Sequence, residues 1–414
     1  MIILDFKIIK GGVTTPKGFL ASGLHCGLKR VKKDLALIYS EVPAIAAGVF
    51  TKNVIKAAPI YITKEHLKNP NVQAIICNSG NANTCTGDDG LKKALEMTIL
   101  QAKALNINPD EVLVASTGVI GTQLKIELIR EQISNLTKGL SKSGNEDAAY
   151  SILTTDKYPK SYAIKFKIDD SIVTIGAISK GSGMVHPNMG TILSFITTDI
   201  AIEPTLLKEA LIESVNLSYN RISVDGDTST NDTVLIMANG LSKNKLIDTK
   251  DDRYYSFVKA LNKLNISLAR EIARDGDGAT KLLECTVCGA DTEDACERIS
   301  KKIITSKLIK ASLFQSNLDF GKIINALSSI NNSFDINNLN IYISNTKTSI
   351  QICENGSSKD IEDIKLKQLL EDDDEIKIKI IFSNKNTCVT CWGCDLPYEY
   401  IRVTGDYRNL KGGY

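Results

Sequence analysis

The sequence has no excess of charge of either sign, few aromatic residues and no long hydrophobic run. Lys and Arg number 50 against 48 Asp and Glu, a net charge of +2, and aromatic residues make up 6% of the chain. Binding to nucleic acid or to an anionic membrane calls for a strongly basic surface. A membrane-spanning helix needs about 18 consecutive apolar residues. The sequence therefore predicts a soluble protein without a nucleic-acid or membrane partner.

Cysteine is too sparse for a disulfide-stabilised scaffold. The chain has 10 Cys in 414 residues, and its apolar start is interrupted by Asp5, Lys7 and Lys10, so that no export signal is recognised. We therefore expect a cytoplasmic protein whose cysteines are reduced thiols.

Several familiar phosphate- and metal-binding motifs are also missing. Neither a P-loop nor a Gly-rich dinucleotide fingerprint follows a predicted strand. The loop from Asp225 resembles the start of a calcium-binding EF-hand, but its sixth position is Thr230 instead of Gly and its twelfth is Ile236 instead of Glu. A calcium loop is therefore not favoured.

The pattern that is present is typical of an α/β protein. Hydrophobic residues at 43% and charged residues at 24% are close to globular averages. Short β-branched runs alternate with amphipathic stretches from end to end. The predicted strands cover residues 35–39, 44–50, 72–77, 112–115, 162–168, 172–178, 192–196, 233–238, 282–288 and 376–382. The predicted helices cover residues 90–105, 124–136, 205–217 and 254–272.

The length and a change of composition predict more than one domain. At about 150 residues per domain, 414 residues correspond to two or three domains. Asn, Asp and Lys become more frequent after about residue 291, and we place a smaller second domain there. The acidic run 371–375 is predicted to be a solvated turn before a strand.

One group of cysteines has spacing that could suit a metal ion. Cys388, Cys391 and Cys394 are three residues apart and could meet an ion if the backbone turned around them. The segment follows a strand, however, and the nearest His is about 200 residues away. Cys285 and Cys288 lie on a predicted strand, where residues three apart point to opposite faces. Buried or surface thiols are the favoured interpretation, and a zinc-stabilised scaffold is the alternative.

Five polar, Gly-rich turns are the strongest indication of a functional site. Turns of this kind at strand ends are where enzymes of this class usually carry their chemistry. One such turn is weak evidence of a site because Gly, Asn and Ser are ordinary turn residues, but five together favour one. The five turns cover residues 77–83, 116–121, 180–191, 223–232 and 273–281.

Thr191, at the end of the third turn, is a candidate nucleophile. A Thr hydroxyl needs an adjoining base, and its own α-amine, when it is a free terminus, titrates at about 7.7–8.0. A free amine requires cleavage between Gly190 and Thr191. Because Gly190 has no side chain, the hydroxyl could approach the preceding carbonyl for an N-to-O acyl shift. The alternative is that Gly190 and Thr191 simply begin a strand.

Together these segments resemble the ornithine acetyltransferase family of arginine biosynthesis. This family comprises self-processing glutamate N-acetyltransferases, many of them bifunctional, that are similar in mechanism to N-terminal-nucleophile enzymes. The match runs nearly the whole length of the chain. Its most specific parts are residues 180–191 and 225–233, and further matching segments are 47–51, 56–59, 154–156 and 391–395.

The resemblance implies a fold, an assembly and a reaction. The fold is a layered αββα-type sandwich, residues 1–285, followed by a smaller α/β domain, residues 286–414, whose tail returns to the active site. Cleavage gives an α chain, 1–190, and a β chain, 191–414, which assemble as an α2β2 heterotetramer. Thr191 passes acetyl from N2-acetyl-L-ornithine to L-glutamate without a metal or organic cofactor, and many members also use acetyl-CoA.

The resemblance also implies roles for individual residues. Thr117 and Gly118 match the pair that stabilises the oxyanion of the tetrahedral intermediate. Thr154, Lys180 and Thr191 match substrate-contacting positions, and the Lys180 ammonium suits a substrate carboxylate. The alternative for Lys180 is a solvated surface charge.

Three further substrate positions depart from the family pattern. Asp277 stands where the family usually has Glu, Thr404 where it has Asn, and Asn409 where it has Thr. These departures leave the nucleophile unchanged and concern the choice of amino acid. An amidohydrolase, in which water takes the acyl group from Thr191, and an acyltransferase with another amino-acid specificity are therefore the alternatives.

Overall fold

The computed structural model describes residues 6–186, 192–330, 335–383 and 385–406. The strands in these ranges are β1 (Lys7–Ile9), β2 (Phe19–Leu24), β3 (Leu35–Phe50), β4 (Val72–Asn81), β5 (Val112–Val119), β6 (Lys160–Ile168), β7 (Ser171–Lys180), β8 (Leu193–Thr198), β9 (Thr233–Ala238), β10 (Leu282–Cys288), β11 (Asn340–Ser344), β12 (Ser349–Glu354), β13 (Ser357–Ser358), β14 (Glu375–Ile381) and β15 (Cys388–Cys394). The α-helices are α1 (Ala58–His66), α2 (Gly87–Leu105), α3 (Ile126–Lys138), α4 (Asn145–Ser151), α5 (Pro204–Leu217), α6 (Asp252–Arg274), α7 (Glu293–Thr305), α8 (Lys307–Phe314), α9 (Phe320–Ser328), α10 (Asp363–Glu371) and α11 (Tyr398–Asp406).

The long strand β3 is shared by the two halves of a nine-stranded sheet. Its first half pairs antiparallel with β2 and β4, and its second half pairs antiparallel with β9. The register shifts between Tyr39 and Ala44, where one half passes into the other. The sheet order is β1-β6-β7-β8-β9-β3-β4-β5, with β2 also on β3. We call β2, β4, β5 and the first half of β3 the first half-sheet, and the other strands the second half-sheet.

The two half-sheets pack face to face, and helices cover their outer faces. Since side chains alternate along a strand, each strand supplies two different cores. The core between the half-sheets includes Ala36, Ile38, Ile75, Phe195 and Leu235. The outer core of the first half-sheet contains Leu35, Leu37, Met97 and Ile129, and that of the second contains Ile164, Ile175, Leu207 and Phe257. The layers are therefore helix, sheet, sheet, helix, and the predicted α/β sandwich class is confirmed.

Helix α6 is the main element covering the second half-sheet. The Asp251 side chain accepts hydrogen bonds from the backbone N–H groups of Arg253 and Tyr254 and so caps the helix start. Buried residues recur at helical spacing along one face: Tyr254, Phe257, Leu261, Leu264, Leu268 and Ile272. The structure thus confirms the helix predicted for residues 254–272.

Residues after β9 build a second, six-stranded sheet with a core of its own. Its order is β13-β12-β11-β14-β10-β15, with β10 parallel to β14 and antiparallel to β15. Helices α7 to α9 supply Ile299, Ile309 and Ile323 to this core. The domain limits 1–285 and 286–414 stay predictions.

The end of the acidic run, predicted to be solvated, is instead tied to α6. The Glu375 carboxylate accepts hydrogen bonds from Arg270 Nη2 at 2.5 Å and from Arg274 Nη2 at 2.8 Å, and the Glu375 side chain is 14% exposed. The prediction was wrong for Glu375 because its two partners lie about 100 residues away in the sequence, where no local pattern indicates them.

The cysteine predictions need one correction. Cys288 and Cys388 lie opposite each other on β10 and β15 and form a disulfide, so the expectation of reduced thiols was wrong for this pair. Cys391 is buried opposite Cys285, and Cys394 Sγ lies 3.5 Å from Lys310 Nζ. Cys388, Cys391 and Cys394 therefore do not converge on one point, which does not fit the zinc-scaffold alternative. Within the described residues, no helix is long and apolar enough to span a membrane.

Truncation of Leu261 tests the role of the α6 stripe. Leu261 is fully buried, and Leu261→Ala should lower the free energy of unfolding by about 2–5 kcal/mol through lost burial and a residual cavity. Lys259→Ala, an exposed position on the same helix, should change it by less than about 0.5 kcal/mol. Chemical denaturation of both variants measures the difference, and equal stabilities would contradict this packing.

Candidate active site

A cavity of about 250 Å³ opens where the Gly-rich turns meet. It is lined by residues of the turns 116–121, 180–186, 223–232 and 273–281, together with Thr154, Thr155, Tyr400 and Thr404. Six of the predicted site residues lie on its wall: Thr117, Gly118, Thr154, Lys180, Asp277 and Thr404. Gly190, Thr191 and Asn409 lie outside the described residues, and their roles stay predictions.

Thr117 and Gly118 reach the cavity because β5 runs beside β4 to its very end. Thr117 lies opposite Ser79 and Gly118 opposite Gly80. The φ of Gly118 is 136°, and a Cβ at this position would lie 2.3 Å from the carbonyl carbon of Gly80. Both facts require glycine, because a side chain would be strained and would collide with the neighbouring strand. The glycine thus allows β5 to lie close against β4 at the point where Thr117 and Gly118 line the cavity.

Lys180, the last residue of β7, is a buried cation on the cavity wall. It is 1% exposed, and its Nζ donates a hydrogen bond to Thr154 Oγ1 at 2.8 Å. Burial lowers the pKa of Lys180, and the nearby Asp156 carboxylate partly offsets that effect. The alternative interpretation of Lys180 as a solvated surface charge is therefore wrong.

A second buried lysine, Lys160, holds the turns around Lys180 in place. Lys160 Nζ lies 2.7 Å from Asp156 Oδ1 and 2.6 Å from Asp275 Oδ2, and all three side chains are fully buried. Asp156 also accepts hydrogen bonds from the backbone N–H groups of Thr154 at 3.0 Å and Gly181 at 2.9 Å. Burial alone would raise the pKa of Asp156, but Lys160 and Lys180 hold that pKa well below its usual range.

Asp277 is held against the turn that follows Lys180. Ser182 Oγ lies 2.8 Å from Asp277 Oδ1, and the Asp277 backbone N–H donates to Ser182 O at 3.2 Å. A Cβ at Gly183 would lie 2.1 Å from Asp277 Oδ2, so glycine is needed there for the carboxylate to approach. Asp277 is 8% exposed and faces the cavity.

The remaining turns are joined by Asp225 and Asn231. Asp225 accepts hydrogen bonds from the backbone N–H groups of Met184 at 2.6 Å and Val185 at 3.0 Å, and burial raises its pKa. Asn231 Nδ2 donates to Ala82 O and to Ser116 O, each at 2.7 Å. All five turns are therefore connected by hydrogen bonds.

Sequence reasoning missed several parts of this site. Lys160 was not selected, because it lies just before the predicted strand 162–168 and its partner Asp275 is 115 residues away in the sequence. Tyr400, which lines the cavity beside Thr404, lies on α11, a helix of nine residues that was not among the predicted helices. Burial raises the pKa of Tyr400 to about 12, and Asp225 acts in the same direction. The turn 223–232, in contrast, was found from its Asp, Ser and Asn content.

This protein combines a layered α/β fold with a polar cavity at the ends of its strands, an arrangement that is typical of enzymes. The family model for the ArgJ family matches residues 20–409. The "Arginine biosynthesis bifunctional protein ArgJ" of Caldanaerobacter subterraneus subsp. tengcongensis is 44% identical over 402 residues, which are 97% of this chain and 100% of that protein. The "Arginine biosynthesis bifunctional protein ArgJ 1" of Clostridium acetobutylicum is 45% identical over 398 residues, 96% of this chain and 97% of that protein.

The chain belongs to the ArgJ family. The resemblance of the sequence motifs to the ornithine acetyltransferase family of arginine biosynthesis is thereby confirmed. The prediction that the chain is an enzyme of this family is confirmed with it. ArgJ proteins are enzymes that act on small molecules.

Removal of the Lys160 charge tests the buried network. Lys160→Met leaves two buried carboxylates without their cation, and it should lower the free energy of unfolding by about 3–5 kcal/mol. Lys165→Met, an exposed position on the same strand, should have little effect.

The pH dependence of stability gives a second readout on the same variants. Because the pKa of Asp156 is lowered in the folded state, its ionised form stabilises the protein above the unfolded pKa of about 3.9, and this stabilisation is lost as pH falls through the folded pKa. Denaturation curves from about pH 5 down to about pH 2, the range in which the unfolded state takes up the proton before the folded state does, should show a weaker acid dependence in Lys160→Met than in the wild type. An identical dependence would contradict the network.

Proposed function

We propose that this protein is a self-processing acetyltransferase of arginine biosynthesis. It transfers acetyl from N2-acetyl-L-ornithine to L-glutamate through an acetyl-Thr191 intermediate, after cleavage between Gly190 and Thr191. The observation that carries the proposal is the register of β7 and β8, in which Lys180 pairs with Leu193. Thr191 precedes Leu193 by two residues, so the proposed nucleophile is attached to a strand that begins beside the cavity lysine.

The proposed chemistry needs only the chain's own groups. The neutral α-amine of Thr191 accepts the hydroxyl proton while Oγ attacks the acetyl carbonyl carbon. The Thr117 hydroxyl and the Gly118 N–H donate to the oxyanion that forms. The intermediate collapses by breaking the C–N bond, and ornithine leaves with the proton from the Thr191 ammonium. The glutamate amine then attacks the acetyl ester by the same steps in reverse.

Substrate recognition follows from the two kinds of charge on the cavity wall. The Lys180 ammonium binds the α-carboxylate that both substrates carry. Asp277 binds an amino group, and because Asp is one methylene shorter than Glu, the carboxylate is set farther back than in the usual family pattern. Thr404 contributes a hydroxyl from α11 at the cavity wall. We also propose Asn409, which follows α11 in the sequence, as a substrate-binding residue.

The proposal also includes a second acetyl donor and an oligomeric assembly. The two relatives are named bifunctional, and acetyl-CoA as a further donor would supply the second activity. The proposed assembly is a cytoplasmic α2β2 heterotetramer. No metal or organic cofactor enters any step.

Intact mass of the denatured protein tests the cleavage. The wild type should give two chains of about 21 and 24 kDa, in proportion to residues 1–190 and 191–414 of a 45.1 kDa precursor, with Thr191 at the N-terminus of the heavier chain. Thr191→Ala should remain a single chain without acetyl transfer, because it lacks the attacking hydroxyl. Thr205→Ala, an exposed threonine after β8, should cleave and react normally.

Two results would count against this account. An active Thr191→Ala protein, or an uncut wild type with full activity, would exclude Thr191 as the nucleophile. Release of free acetate at an unchanged rate without glutamate would favour the amidohydrolase alternative.

Loss of the Thr117 hydroxyl tests the oxyanion assignment. Thr117→Ala should lower kcat by about 100- to 1000-fold while KM and the unfolding midpoint change little, because the lost donor acts in the transition state. Thr122→Ala, an exposed position in the turn after β5, is the matched control. Equal turnover in the two variants would contradict the assignment.

A further inference from the structure

Asp232 is hydrogen-bonded to Ile192, the residue that follows the proposed nucleophile in the sequence. Asp232 Oδ1 accepts a hydrogen bond from the Ile192 backbone N–H at 2.9 Å, and the Thr233 N–H donates to Ile192 O at 2.9 Å. Asp232 and Thr233 thus hold both sides of Ile192. Asp232 itself is fixed by its backbone carbonyl, which accepts from Thr51 N–H at 3.0 Å.

Among the described residues, the second oxygen of this carboxyl group has no hydrogen-bond partner. Asp232 is 0% exposed, and Oδ2 finds no hydrogen-bond partner in the part of the chain that the structure describes. The Thr51 hydroxyl lies beside the carboxyl, but it donates to Ser229 O at 2.7 Å. Burying a polar oxygen without a partner costs about 1–3 kcal/mol. A purely structural hydrogen bond to Ile192 would not need this second oxygen, since an asparagine could accept it equally well.

The surroundings of Asp232 are mostly neutral. Among the described residues, Lys180 is the charged group that acts on it, and Lys180 in turn faces Asp156, Lys160 and Asp277. Burial raises the pKa of Asp232 well above its usual range, and Lys180 offsets this only in part. As far as the structure describes the chain, the group is therefore a buried acid that shares its nearest cation, Lys180, with other carboxylates.

Cleavage before Thr191 would supply a counter-charge. Along the chain, the new α-amine is three covalent bonds from the Ile192 nitrogen that Asp232 already holds. We propose that Asp232 is the positioning residue of the nucleophile: its Oδ1 holds the Ile192 N–H, and its Oδ2 accepts a hydrogen bond from the α-amine of Thr191. This inference rests on the proposed function, because it needs the free amine.

Such a contact would orient the base and tune its basicity. An amine that points at Asp232 is held in one rotational position relative to its own hydroxyl, from which it must take the proton. The Lys180 cation nearby disfavours a second positive charge, whereas a carboxylate beside the amine favours it. Asp232 would therefore keep the amine basic enough to accept the proton in a site that already contains a buried cation.

The test measures the pKa of the Thr191 amine in the wild type, Asp232→Asn and Asp199→Asn. Asp199 is the matched control because it is a fully buried aspartate at the other end of β8, where its two oxygens accept from Thr174 N–H at 2.8 Å and Lys17 N–H at 3.1 Å. All three proteins are produced as co-expressed chains 1–190 and 191–414, so that the amine is free whether or not a variant cleaves itself. The rate of acylation of the Thr191 terminus is followed against pH by peptide mass.

We expect the amine pKa to be lower in Asp232→Asn than in the wild type by about one pH unit or more, as for loss of an opposite charge within about 4–6 Å. The acidic limb of kcat/KM should move to lower pH with it, while Asp199→Asn keeps the wild-type values. Equal amine pKa values in wild type and Asp232→Asn would overturn the proposal. A full-length wild type that stays uncut and active in the intact-mass measurement would instead refute the proposed function, so the two failures are distinguishable.

Discussion

The buried contact of Lys160 with Asp156 and Asp275 is the interaction on which the geometry of the cavity depends. Ion pairs in the interior seldom add net stability, because both partners lose their hydration. Here the carboxylates do more than neutralise a lysine. Asp156 also holds the N–H groups of Thr154 and Gly181, and Asp275 holds that of Lys157. The charge cluster thus fixes two separate chain segments on either side of Lys180.

Much of the fold could be predicted because its strands carry their own signal. The β-branched runs of β4, β5 and β7 to β9 are buried on both faces, whereas β6 exposes Lys165 and Lys167. Each of the six strands was predicted, with errors of up to four residues at its ends. Strand β3 was predicted as two strands, because Ser40, Glu41 and Pro43 interrupt the apolar run. These residues fall where the register passes from one half-sheet to the other, so Pro43, which lacks an N–H, lies at the junction between the two ladders. The helices of the last third were not among the predicted ones; four of the five, α8 to α11, have only eight or nine residues, too few for a helical repeat to stand out.

Site residues could be predicted where the composition of a single turn marks them. They could not be predicted where their hydrogen-bond partners are far away in the sequence. Thr117, Gly118, Thr154 and Lys180 lie in turns whose composition marks them. The residues that hold those turns in place find their partners far along the chain: Asn231 bonds to residues 149 and 115 positions earlier, and Lys160 bonds to Asp275, 115 positions later. No periodicity or motif records such pairs, so they emerge only from the packed structure.

The hydrogen bonds between the five turns hold these polar segments together around the cavity. Each turn brings buried polar groups, and the side chains of the other turns satisfy them: Ser182 binds Asp277, Asp225 binds the 184–185 backbone, and Asn231 binds two carbonyls. Among the described residues of these turns, the unmatched buried side-chain atom is Asp232 Oδ2. The exception lies beside the one position at which the proposed chemistry would create a new charge. A site that is otherwise saturated with hydrogen bonds can accept a new ammonium group where an acceptor has been left open for it.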